Sequence, residues 1–96
     1  MTVAHPILAE LRTEIDAVDQ QLVALLQKRF KIADRVIDLK GREGIPAALP
    51  DRVEQVLQNA LRIAAHTNVP PHTIEVLWRT LIAETIAYEE RVLGKK

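Results

Sequence analysis

The sequence contains no cysteine and no serine. The first absence excludes disulfides, thiolate metal sites and cysteine nucleophiles, and the second excludes serine hydrolase chemistry. Aromatic residues are scarce as well: Phe30, Trp78 and Tyr88 are all there are. A core must therefore come from Leu, Ile, Val and Ala, a set that suits helices better than a β-sandwich. Net charge is also missing, because 13 basic residues face 13 acidic ones. That balance removes the field expected of a nucleic-acid or membrane-surface binder. No run approaches the roughly 18 apolar residues of a spanning helix. Met1 to Ala9 lacks basic residues and its apolar stretch is cut by Glu10, so no export signal is expected and the default location is cytoplasmic. His5, His66 and His72 are scattered without ligand spacing, so no metal or cofactor is expected.

What remains is helical periodicity in a chain of 96 residues, one domain on the size prior. Between Pro6 and Gly41 there is no Gly or Pro, and Leu8, Leu11, Ile15, Val18, Leu22, Leu25, Ile32, Val36 and Leu39 recur at spacings of three and four with one gap, at Arg29. This predicts one long helix over about 6–40, with Pro6 in its first turn and Gly41 as its stop. After a loop, Pro50 opens a second helix over about 50–66, with Val53, Val56, Leu57, Ala60, Leu61 and Ala64 on one side. Pro70 and Pro71 open a third over about 70–93, with Ile74, Leu77, Trp78, Leu81, Ile82, Ile86 and Val92 as its apolar face. Gly94, Lys95 and Lys96 are expected to fray. No strand pattern or repeat is present, so the fold class is all-α, three helices per chain.

Length adds a further constraint. The first helix would be about 50 Å long, whereas a globule of this size is roughly 26 Å across. The two shorter helices cannot cover such a seam, so a second copy is expected to do so, as an intertwined homodimer. A lone two-stranded coiled coil would leave the apolar faces of the other helices unburied.

Several polar residues interrupt these stripes. Arg29 sits in the seam; taken alone, it would lay its stem on the core and snorkel its head to water. Lys40, eleven residues on, shares its face within roughly 20°. Thr85 and Glu89 lie inside the stripe of the third helix, and Arg52 lies in the first turn of the second. Buried charges persist only if they pair or bind something, and Glu89 neutralises one cation at most. The positive surplus points to an anionic small molecule, a polycarboxylate, which arginine grips bidentately. Arg12 lies about 25 Å from Arg29 along the helix and cannot reach its own chain's site. It is either a plain surface arginine or, in an antiparallel pair of long helices, a contributor to the partner's site.

The series Leu11-Arg12, Ile15, Val18-Asp19, Leu22, Leu25-Leu26, Arg29, then Lys40, then Asp51-Arg52 resembles the all-helical chorismate mutases, over about Leu8 to Val92. The resemblance implies a homodimer with two sites and a dicarboxylate substrate. It assigns Arg12 as the arginine donated by the other subunit, and Arg29 and Arg52 as the in-chain carboxylate ligands. Lys40 matches the donor to the ether oxygen, Glu89 the residue on that oxygen's other side, and Thr85 a small hydroxyl position. Three departures stand out. Glu89 replaces a common Gln and must be protonated to donate. Val53 replaces a Glu that holds the ring hydroxyl, and Leu49 replaces an acidic loop residue. Val53 and the Ile45-Pro46-Ala47 segment are similar to isochorismate-pyruvate lyases, which share the fold.

The resemblance therefore implies rearrangement of chorismate to prephenate, with cleavage of isochorismate to salicylate and pyruvate as the alternative. A non-catalytic helical dimer or regulatory partner is a third reading. A pericyclic reaction needs no nucleophile, metal or cofactor, which suits this composition. The protein's task would be to fold a dianion into a reactive chair and stabilise charge on the ether oxygen.

Overall fold

The computed structural model describes residues 5–94, which form three helices: α1 (Pro6–Glu43), α2 (Pro50–Ala64) and α3 (Pro71–Gly94). No strand occurs among the described residues, and none of the helices is long and apolar enough to cross a membrane. The all-α expectation with three helices is met.

The helix ends correct the sequence reading. Gly41 does not stop α1, which runs on to Glu43; a single glycine inside a helix costs only about 1 kcal/mol. The stop is Gly44, whose φ of 67° lies in the left-handed region. Beyond it, the Ile45 amide donates back to the Lys40 carbonyl at 2.9 Å, the long reverse bond of a Schellman ending. α2 ends at Ala64, two residues before the expected 66. There the His66 and Thr67 amides turn to the carbonyls of Ile63 and Ala64, three residues back, tightening the chain out of the helix. α3 starts at Pro71, one residue later than expected, with the Pro70 carbonyl accepting from the Thr73 and Ile74 amides. Gly94, expected to fray, is still helical; Lys95 and Lys96 lie outside the described residues.

The chain divides into two compact units, one reaching Ile32 and the other starting at Ala33. In the first unit every side chain from His5 to Lys28 is exposed. That includes the heptad stripe, with Ile15 at 59% and Leu25 at 62%. Among the described residues of this unit, none covers the stripe.

The second unit holds the core. α2 packs on α3 across the short connector, burying Leu57, Ala60 and Ala64, at the three-and-four spacing of one helical face. Ile82 and Glu89, seven apart on α3, are also buried. Ala33 and Ile37, four apart near the end of α1, complete the set, and Ile37 is the most enclosed side chain at 1% exposure. Val53, Val56 and Leu61 of the expected α2 face are half-buried, whereas Leu77 of the expected α3 face is exposed. Tyr88 Oη donates to the Asp34 carboxylate, tying α3 to the last part of α1. That bond holds the Tyr88 hydroxyl above its ordinary pKa.

Burial ranks the consequences of truncation. Ile37→Ala is expected to cost about 2–5 kcal/mol of unfolding free energy in urea titrations. Arg79→Ala, which removes the exposed ion pair with Glu75, should cost less than about 1 kcal/mol. Equal losses for the two variants would contradict this placement of the core.

Candidate active site

The geometry of the site starts from Ile37. Lys40 follows it by three residues, so the face that buries Ile37 also turns Lys40 inward, and Lys40 is half-buried. On α3 the buried stripe runs from Ile82 to Glu89, with Thr85 between them at the same helical spacing. These two stripes meet in an ion pair. Lys40 Nζ lies 2.7 Å from Glu89 Oε1, with the two side chains only 11% and 9% exposed. The ammonium donates a second hydrogen bond, of 2.8 Å, to the main-chain carbonyl of Ala47 in the loop between α1 and α2. An ammonium has three hydrogens; two are directed to fixed acceptors within the second unit, leaving one for an acceptor brought by a ligand.

Thr85 is half-buried one turn before Glu89, and its Oγ1 donates to the Leu81 carbonyl at 2.7 Å. A hydroxyl has one hydrogen, and this bond directs it along the helix to the main chain. Val53 lines a cavity of about 200 Å³ together with Leu57, Arg79, Ile82, Ala83 and Ile86. Its walls are aliphatic apart from Arg79, which pairs with Glu75 one turn away. No carboxylate from Val53's position reaches this space, consistent with the residue type alone.

Four further candidates remain. Arg52 is exposed and directs Nη1 to Gln55 Oε1 at 2.6 Å, one turn along α2. Leu49 is 37% exposed and serves as the N-cap of α2 in extended conformation, without a side-chain cap bond. Arg12 and Arg29 belong to the first unit, where Arg12 is exposed and Arg29 half-buried. The structure thus joins Lys40 and Glu89 directly, with Thr85 alongside. The Ala47 carbonyl is the participant that residue types did not reveal, because every residue carries the same group.

A pair this enclosed is costly to halve. Lys40→Met strands a carboxylate and is expected to cost about 3–5 kcal/mol, whereas replacing both partners by apolar residues is far less harmful. The double variant Lys40→Met/Glu89→Leu should therefore be more stable than Lys40→Met alone in denaturant unfolding. A double variant whose losses simply add would show that the two side chains are not coupled.

Comparison with known proteins places this geometry in context. The family model for chorismate mutase type II matches residues 11–90. The T-protein of Enterobacter agglomerans is 35% identical over 82 residues, covering 85% of this chain and 22% of the T-protein. The 4-amino-4-deoxychorismate mutase of Streptomyces venezuelae is 30% identical over 89 residues, covering 93% of this chain and 86% of that protein. The chorismate mutase of Methanocaldococcus jannaschii is 27% identical over 86 residues, covering 90% and 87%. The chain spans about a quarter of the length of the longer relatives, among them the T-protein and the bifunctional chorismate mutase/prephenate dehydratase of Aquifex aeolicus. With the matched region running from Leu11 to Glu90 and taking in Lys40 and Glu89, the chain belongs to the chorismate mutase type II family.

Proposed function

We propose that this chain is a chorismate mutase, catalysing the rearrangement of chorismate to prephenate. The observation that carries the reading is the enclosed Lys40–Glu89 pair, in a chain that matches the family along most of its length. Lys40 directs its remaining N–H to the ether oxygen of the breaking bond. Glu89, when protonated, donates from the other side; when ionised it only accepts, and faces the charge growing on that oxygen. Arg29, Arg52 and the partner's Arg12 hold the two substrate carboxylates, for which Arg52 turns away from Gln55. Thr85 supplies a hydroxyl beside the reacting atoms. Leu49 and Val53 border the substrate without charge. No nucleophile enters the reaction: rate comes from holding the dianion in its reactive conformation and from charge stabilisation.

The same reading makes residues 1–96 one domain per chain and pairs two chains. Its support is the exposed heptad stripe of α1 in the first unit, too continuous to face water without cost. A second copy supplies an identical stripe, and an antiparallel pairing brings Arg12 of one chain to the site of the other.

A second reading concerns the substrate's C4 position. Two relatives are named 4-amino-4-deoxychorismate mutases, at 34% and 30% identity, and the aliphatic Val53 removes the carboxylate that the resemblance assigns to the ring hydroxyl. The comparisons do not favour the isochorismate-pyruvate lyase alternative. Incubating the purified protein separately with chorismate, 4-amino-4-deoxychorismate and isochorismate should show disappearance of chorismate. Turnover of the amino compound alone would move the assignment to the second reading. Glu89→Gln keeps a hydrogen-bond donor at this position, so it should retain activity on chorismate, whereas Glu89→Leu should lose most of it.

Sharing of the site has its own test. Arg12→Ala and Arg29→Ala are each expected to lose about 2–5 kcal/mol of transition-state stabilisation. Mixing the two inactive variants under conditions of subunit exchange should restore activity, because a mixed dimer holds one intact site. Sedimentation showing a folded monomer at micromolar concentration, or mixing that restores nothing, would refute the shared arrangement.

A further inference from the structure

We propose that loop 44–49 is a positioning element for the Lys40 ammonium, acting through the main-chain carbonyl of Ala47. The inference rests on the reading of Lys40 as a donor to the substrate, and adds to it the group that aims the donor. A lysine ammonium sits on a flexible four-carbon stem with rotatable donors. One acceptor, Glu89 at 2.7 Å, leaves the ammonium free to turn about that single bond. The second acceptor, Ala47 O at 2.8 Å, removes this freedom, and the third N–H then has one direction left. A carbonyl does this without a second negative charge, so the positive charge is not quenched further.

For this to work the carbonyl must itself be fixed, and the sequence of the loop fixes it. Gly44 takes φ +67°, reversing the chain at the end of α1. The Ile45 amide then bonds the Lys40 carbonyl at 2.9 Å, so backbone and side chain of one residue both hold the loop. Pro46 locks its own φ and keeps Ile45 out of the helical region. Leu49, before Pro50, is extended at φ −122° and ψ 100°. Four of six loop positions are thus restricted, and Ala47 lies between them.

Gly44 offers a clean test, because a Cβ there would meet nothing within 4 Å. Substitutions differ only in their tolerance of positive φ, which Asn accepts and the β-branched Val does not. Lys40 should be acetylated by limiting acetic anhydride several-fold faster in Gly44→Val than in the parent, with exposed Lys28 as internal reference and mass spectrometry as readout. Gly44→Asn should label like the parent. In the same series, kcat for chorismate should fall about tenfold to a hundredfold in Gly44→Val, with KM changing less, and recover in Gly44→Asn. Pro46→Gly, checked for helicity by circular dichroism, should reproduce the Gly44→Val result if that variant does not fold. Equal Lys40 labelling in all folded variants would overturn the proposal. Faster labelling in Gly44→Val from a parent chain inactive on chorismate would support the Ala47 link and overturn the proposed reaction alone.

Discussion

The second unit is organised around one costly interaction, the ion pair between Lys40 and Glu89. Two side chains about nine-tenths enclosed have lost most of their hydration, and such pairs are retained only where geometry compensates. Here the compensation comes from separate segments: the last turns of α1 supply the cation, α3 the anion, and the intervening loop a carbonyl. The pair therefore fixes how these segments sit within the unit. Aliphatic residues alone would not, because Leu57, Ala60, Ala64 and Ile82 pack with little directional preference.

The chemistry proposed for this pair matches what the chain lacks. Without serine or cysteine, the proposed reaction draws on placement of charge and uses neither as a nucleophile. The second unit places an ammonium and a carboxylate within hydrogen-bond distance of each other. The first carries its arginines on a helix whose apolar stripe its own unit does not cover.

Much of this was legible in the residues. Lys40, Thr85 and Glu89 interrupt apolar stripes, and side chains that break a periodic pattern are where a core admits polar chemistry. The alternation of threes and fours located all three helices. Their ends were harder to read. Gly41 and Gly44 are both plausible stops, and Gly44 is the one that takes the left-handed conformation, which lets the next main-chain amide close the reverse bond to Lys40. His66 falls within the helical pattern, which carries no information once bonds shorten to three residues. Arg52 carries the right group in the expected turn, yet its exposed side chain found Gln55, a contact no stripe encodes. The Ala47 carbonyl was invisible for a simpler reason: main-chain acceptors leave no mark on residue identity.

The scarcity of aromatic residues has a practical side as well. The chain has a single tyrosine and a single tryptophan, both on α3, and the tyrosine is hydrogen-bonded to Asp34 near the end of α1. Because that bond raises the Tyr88 pKa, its contribution to stability is present at neutral pH and is lost as pH rises through the folded-state value. Alkaline difference absorbance of the tyrosinate would then report the release of α3 from Asp34, while Trp78 fluorescence follows the same helix a few turns earlier. The protein carries its own pair of optical labels on the helix that bears Glu89, with no other tyrosine or tryptophan to obscure them.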